Sequence, residues 1–389
     1  MVFSRPPAFP PGNVLFRRDG IAYELVQDLG PGSHGERIVL ALKRDRSGKD
    51  LGRVIVKTLA LPVLTRATQE ARKRLEEEVQ LATFLQHPNI ARVHGLHEVR
   101  GALHVIMEAV SGRSLESLLT LAHGRGRYFS ESFMLHVGAQ VASALAHAHG
   151  RRDTKGQPLH IVHRAIDPTR IRVKLSGKAK LMDFGLASAH LPGRRTVRVP
   201  RPRGDAYYTS PEALLGEPED ARSDLFVLGL VLLEFATGRH LLNPPDLLPR
   251  EVWARLPEAE RERLGHAIGR AQDVWAEPDM GEIVLRAATF TPADVAKAAE
   301  NLSEPVRALF LKLLRRNPAE RFASAAEAED RMRKLLHERD DYGHARAAAE
   351  LQAALEEAGE ALAAEEYGAR RVLHPDDIST EPSPGSCEA

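Results

Sequence analysis

The chain has 389 residues and a formal net charge of +1. That length exceeds one small domain and suits a two-lobed body with extensions, while near-neutrality excludes global steering toward polyanions. The single cysteine, Cys387, lies in a polar tail, and no apolar run approaches bilayer length; a disulfide scaffold and a membrane partner are excluded, and a cytoplasmic protein is expected.

Residues 1–13 are proline-rich and lack an apolar signal-peptide core, so the stretch 1–19 reads as a flexible arm. Tyr23-Glu24-Leu25-Val26 has the pattern of a strand. Gly30-x-Gly32-x-x-Gly35 follows it, a triplet that in isolation also marks ordinary turns. Val54-Ile55-Val56-Lys57 is a β-branched run ending in a cation. A charge-rich helix is predicted over residues 72–86. Glu76, Glu77 and Glu78 all suit its solvated face, and Glu78 is singled out by lying nine residues before His87-Pro88-Asn89-Ile90. Leu103-His104-Val105-Ile106-Met107-Glu108 reads as another strand, and in Gly112-Arg113-Ser114-Leu115 the serine is placed to cap a helix.

Farther along, His163-Arg164-Ala165-Ile166-Asp167-Pro168-Thr169-Arg170 precedes Asp183-Phe184-Gly185. Ser210-Pro211-Glu212, Ser223-Asp224 with Gly229, and Asn317-Pro318-x-x-Arg321-Phe322 come next. Residues 241–301 are mostly helical in pattern and carry Trp253 and Trp275. An Ala/Glu/Leu-rich helix is predicted over residues 341–373, with Leu351, Leu355 and Leu362 on one face. That stripe is short and otherwise mostly alanine, which favours docking on the body of the protein over a dimerising coiled coil. Residues 374–389 are rich in Pro, Ser and acid and read as a disordered tail.

In this order and spacing the motifs resemble the eukaryotic-type Ser/Thr protein kinases, a family also found in bacteria. The resemblance implies an α+β, bilobal fold: a small β-rich lobe over residues 20–107, a hinge over 108–113 and a large helical lobe over 114–340. It also implies ATP and Mg²⁺ as cofactors. Gly30, Gly32 and Gly35 would cover the nucleotide, Lys57 would hold its α- and β-phosphates, and Glu78 would pair with Lys57. Met107 would be the gatekeeper, and the backbone of Glu108, Ala109 and Val110 would face adenine. Asp183 would bind metal. Glu212 and Arg321 would form a buried pair, and Asp224 would be structural.

The departures from the family pattern cluster in one place. Where that pattern reads His-Arg-Asp-Leu-Lys-Pro-x-Asn, Ala165 replaces the base, Asp167 the lysine, and Arg170 the second metal ligand. Asp205 stands where an activation-segment threonine is expected, and Arg37 where a valine would cover adenine. Asp167 lies two residues along the loop from Ala165 and should point elsewhere. The expectation is a pseudokinase that acts through protein–protein contacts and binds ATP and Mg²⁺ weakly. Arg170 is expected to pair with Asp183 or Asp167 and to reduce the dependence of nucleotide binding on Mg²⁺. Two other readings stand beside it. One is an atypical Ser/Thr kinase of low activity. The other is a binding module whose Arg194, Arg195, Arg198, Arg201 and Arg203 recognise an acidic or phosphorylated protein. Those arginines lack interleaved aromatics and offer nucleic acid only sequence-independent attraction, which disfavours that partner. Thr196, beside Arg195, is a candidate phosphorylation site, with Arg164 available to grip its phosphate.

Overall fold

A computed structural model describes residues 12–32, 35–60, 66–191, 204–243, 249–275, 279–339 and 342–359. The α+β two-lobed architecture expected from the sequence is the one found. The small lobe is an antiparallel sheet of β1 (Val14–Arg18), β2 (Ile21–Pro31), β3 (Arg37–Arg44), β4 (Asp50–Ala60), β5 (Val93–Val99) and β6 (Ala102–Glu108), in the order β1-β2-β3-β4-β6-β5. Helix α1 (Arg66–Ala82) crosses one face.

Strand periodicity sorts the side chains of β4 between the two faces. Val54 and Val56 join Phe16, Tyr23, Leu25, Val39 and Ile106 on one side. Ile55 and Leu59 join Leu75, Leu103, Val105 and Met107 on the side that α1 covers. Lys57 shares the parity of Ile55 and Leu59, so the pleat aims it at α1.

Three predicted boundaries are corrected. The arm placed over residues 1–19 is shorter, because residues 14–18 form edge strand β1. Phe16 anchors that strand, its ring stacked 4.4 Å from Tyr23 and 4.1 Å from the imidazole of His104. The helix placed over 72–86 instead occupies 66–82, since the chain tightens at Thr83, whose Oγ1 donates to the carbonyl of Gln80 at 2.7 Å. The C-terminal helix placed over 341–373 starts at His344, after extended Gly343, and is described to Glu357. Leu362 and the tail lie outside the described residues.

The large lobe contains α2 (Leu115–Arg125), α3 (Glu131–His149), α4 (Pro211–Leu214), α5 (Ala221–Thr237), α6 (Pro249–Arg255), α7 (Glu258–Gln272), α8 (Met280–Thr289), α9 (Pro292–Ala298), α10 (Glu304–Leu313), α11 (Ala325–His337) and α12 (His344–Glu357). Residues 241–301 thus supply α6 to α9. A three-stranded sheet, β7 (Arg113–Ser114), β8 (Ile171–Val173) and β9 (Ala179–Leu181), lies under the cleft. Ser114 caps α2 by accepting from the Ser117 amide at 3.1 Å. Helices α3 and α5 are the apolar centre, and they approach closely at Gly138, where a Cβ would meet Leu232 Cδ1 at 2.7 Å. No helix of the described residues is long and apolar enough to cross a membrane.

Helix α12 docks on α2 and α3 through buried Leu351 and Leu355. Glu350 receives the Ser130 amide and hydroxyl, each at 2.7 Å, and Glu357 receives Arg125 at 2.6 Å and Arg127 at 2.7 Å.

Candidate nucleotide and phosphotransfer site

The cleft between the lobes is organised around Lys57. Its Nζ lies 2.8 Å from Glu78 Oε1 and 2.7 Å from Asp183 Oδ1, which joins β4, α1 and the segment after β9 in one buried ionic centre. Burial by itself would lower the Lys57 ammonium, but the carboxylates of Asp183, Glu78 and Glu36 overcome it and keep the group protonated. Burial would likewise raise Asp183, yet the charges of Lys57 and Arg170 hold its carboxyl well below the usual range. Asp183 adopts a left-handed backbone, φ 60° and ψ 75°, uncommon for a non-glycine residue and typical of constrained sites. Phe184 after it is buried, with its ring 4.4 Å from that of His163.

Asp224, on α5, holds the backbone of the loop that begins at His163. Its Oδ2 accepts from the His163 amide and from His149 Nε2, both at 2.8 Å, and its Oδ1 accepts from the Arg164 amide at 3.0 Å. Arg164, at φ 66°, directs its guanidinium to Glu219 at 3.1 Å. Thr196 and the five arginines around it lie outside the described residues.

Ala165 is 1% exposed. Gly204 closes the space above it: a Cβ on Gly204 would fall 2.8 Å from Ala165 Cα and 3.1 Å from its Cβ. Trp275 holds Gly204 there, its indole N–H donating to the Gly204 carbonyl at 2.8 Å. Asp205, next in the chain, accepts from the Tyr207 amide at 2.9 Å, and its carbonyl accepts from the Thr209 hydroxyl at 2.7 Å.

Asp167 turns back on its own loop. It accepts from the amides of Thr169 at 2.9 Å and Arg170 at 3.1 Å, capping the short turn Pro168–Arg170, and its second oxygen pairs with Arg170 Nη1. Arg170 Nε lies 3.6 Å from Asp183 Oδ2 and finds no hydrogen-bond partner among the described residues. A backbone bond from the Met182 amide to the Arg170 carbonyl, 2.9 Å, brings these two segments together. The guanidinium therefore bridges two acids, with its charge reinforced by both.

At the glycine loop, Gly30 and Gly35 have φ of 95° and 81°, a region that favours glycine. Arg37 pairs with Asp28 of the neighbouring strand, and Asp28 also accepts from the Gly30 amide at 3.1 Å. Met107 and Val110 are buried at the hinge. The Glu108 side chain is held by Lys180 at 2.7 Å and by the Arg92 amide at 3.1 Å.

Lys57, Glu78, Asp183, Asp167 and Arg170 thus converge, with Ala165 sealed nearby. Residues given no role at the site from the sequence also shape it: Glu36 against Gly32, Glu219 on Arg164, and Gly204 with Trp275 beside Ala165. An acid directly after the third glycine was the one local signal available for any of them.

A fit to the family's metal ions is partial. Asp183 offers one carboxylate, but the second position holds a cation, and among the described residues no group of three or more His, Cys, Asp or Glu is arranged to hold a metal. A second Mg²⁺ does not fit there.

The model of the protein kinase domain matches residues 23–332. Tyrosine-protein kinase MasK of Myxococcus xanthus is 30% identical over 297 residues, covering 72% of this chain and 42% of that protein. Serine/threonine-protein kinase PrkC of Bacillus subtilis is 29% identical over 244 residues, 61% of this chain and 34% of that protein. Serine/threonine-protein kinase pkn3 of Myxococcus xanthus is 29% identical over 266 residues, 66% of this chain and 45% of that protein. The chain spans less than half the length of each of these relatives. With the lobes, the Lys57–Glu78–Asp183 centre and the Asp224-anchored loop in place, the match over residues 23–332 means that the chain belongs to the protein kinase domain family.

Proposed function

We propose that the chain is a pseudokinase: a protein kinase domain that binds ATP weakly and works through contacts with other proteins in the cytoplasm. The observation that carries this reading is Arg170, whose guanidinium spans Asp167 and Asp183 where a kinase places a metal. Ala165 adds to it, since no carboxylate stands there to accept a hydroxyl proton. Protein kinases use Mg²⁺ to bridge and neutralise the β- and γ-phosphates. Here Arg170 would meet phosphate with part of that charge, Lys57 would meet it from the other side, and Asp183 would remain as a single metal ligand. The acidic or phosphorylated partner suggested by the five arginines of the activation segment belongs to the same proposal.

Phosphate transfer from labelled ATP, to the protein itself and to a generic basic protein, is expected to stay at background with Mg²⁺ or Mn²⁺. Robust transfer abolished by Lys57→Met would overturn the reading. It would favour instead the low-activity kinase, which the intact Lys57–Glu78–Asp183 centre supports.

Arg170 has its own test. Thermal shifts produced by millimolar ATP are expected to be similar in Mg²⁺ and in EDTA, and Arg170→Asn is expected to make them depend on Mg²⁺. Binding that vanishes in EDTA and is untouched by Arg170→Asn would remove this role for Arg170.

A further inference from the structure

Helix α3, helix α12 and the turn between β8 and β9 meet at three atoms. His136 Nε2 lies 3.0 Å from the Gly177 carbonyl oxygen and 3.1 Å from His344 Nδ1, and His344 Nδ1 lies 3.3 Å from the same oxygen. So close an approach needs a glycine at 177, where a Cβ would fall 2.3 Å from the His344 carbonyl oxygen and 3.0 Å from Ala347 Cβ. Gln140, one turn along α3 from His136, steadies the hairpin: its Oε1 accepts from the Ala179 amide at 3.0 Å, and its Nε2 donates to the Gly177 carbonyl at 3.3 Å. His136 is buried and His344 is exposed.

Hydrogen bonding does not satisfy this triangle. A carbonyl only accepts, and a neutral imidazole carries one N–H. With a proton on one facing nitrogen, at most two of the three contacts are hydrogen bonds. With a proton on both, two N–H groups oppose each other at 3.1 Å. A metal cation serves all three atoms, because each then offers it a lone pair. The edges suit one: ligands at 2.0–2.1 Å around a tetrahedral ion lie about 3.3 Å apart. Ring placement agrees. Imidazoles whose nitrogens are 3.1 Å apart would have centres about 4.8 Å apart if both aimed at one ion, and about 5.4 Å apart if they aimed at each other. The observed separation is 4.9 Å.

We propose that His136, His344 and the Gly177 carbonyl form a site for a divalent first-row transition ion such as Zn²⁺, with water as the fourth ligand on the exposed His344 side. Neutral imidazoles suit zinc, copper and nickel, whereas Mg²⁺ prefers oxygen ligands, so this site differs in chemistry from the carboxylate of Asp183. Its ligands come from three segments. The ion therefore fastens α12 to α3 and to the hairpin that leads into Asp183. The ligand set carries no negative charge, and the Arg333 charge on α11 acts against a cation here, so the affinity is micromolar and not that of a thiolate-rich site.

The test titrates the untagged full chain with Zn²⁺ and follows heat of binding, melting temperature and amide exchange across α12. The variants are His344→Ala, His136→Gln, His190→Ala and Cys387→Ser. His190 reports adventitious binding, since it forms a separate exposed pair with His160, ring centres 5.0 Å apart, and Cys387 is the chain's one thiol. The native chain should bind about one equivalent, melt higher and exchange its α12 amides more slowly, and Mg²⁺ should do none of this. His344→Ala and His136→Gln should each weaken Zn²⁺ about tenfold or more, at least the cost of losing an outer-shell partner, and abolish the protection of α12. His190→Ala and Cys387→Ser should behave as the native chain. Should His136→Gln fail to fold, the exposed His344→Ala decides the matter. Zn²⁺ binding that survives His344→Ala, that is lost in His190→Ala or Cys387→Ser, or that leaves α12 exchange unchanged overturns the site, as does the absence of binding.

Discussion

Replacing Arg321 by alanine is expected to destabilise the large lobe by about 3–5 kcal/mol, the usual cost of breaking a fully buried ion pair from one side. Arg321 grips Glu212 with two parallel bonds of 2.7 Å, and their side chains are 0% and 3% exposed. It also donates to the carbonyls of Arg315 at 2.8 Å, Arg222 at 2.9 Å and Arg316 at 3.0 Å, and its guanidinium lies 4.8 Å from the centre of the Phe226 ring. Without it, the buried Glu212 carboxylate keeps the Ser223 hydroxyl at 2.7 Å and loses its counter-charge. The melting temperature should fall by roughly 10 °C for a domain of this size. Arg321→Lys should recover only part of the loss, because an ammonium cannot reproduce the planar fork. Adding Glu212→Gln to Arg321→Ala should recover some stability by removing the stranded charge. An unchanged melting temperature in Arg321→Ala would show that the pair is not buried in solution.

Restoring an acid at the base position is the second large effect, and it is expected to fail. General-base catalysis contributes about 10²–10⁴-fold where the base is correctly placed. In Ala165→Asp the new carboxylate would stand at a position that is 1% exposed, beside Gly204, whose carbonyl accepts from the Trp275 indole N–H. It would also lie beside Asp167 and Asp183 without a metal, because Arg170 keeps the second-metal position. The variant should therefore melt lower than the native protein, since a buried charge without a partner is costly. Its phosphotransfer should remain at background. Ala165→Asp with Arg170→Asn should show the first measurable rate, because metal and base are then both available. A rate gain of about 10²-fold from Ala165→Asp by itself would show that the loop over Ala165 opens readily and that the missing base is the only defect.

The features legible in the sequence are those written in neighbouring residues. Val54-Ile55-Val56-Lys57 is a strand because alternation and β-branching are local, and the same alternation aims Lys57 at α1. Ser114 is a cap because capping joins residues three apart. Asp167 and Arg170 lie three apart in a tight turn, so their pairing was within reach of the sequence. Boundaries were harder: the strand at residues 14–18 looked like an arm because its stability comes from Phe16 meeting Tyr23 and His104, not from its own five residues.

By itself, then, the sequence determined the family, the order of the elements and the positions at which this chain departs from the kinase pattern, because each is encoded in short spacings. Tertiary structure alone decided where those departures sit and what they touch. Arg170 reaches Asp183 because a loop and a strand end meet across a backbone bond. Gly204 seals Ala165 because Trp275, 71 residues farther along, pulls it down. Arg164 finds Glu219, and Lys57 feels Glu36 as a third carboxylate. In each case the charge or the volume that matters comes from a distant segment, and only packing brings such segments close enough for Coulomb attraction or steric exclusion to act.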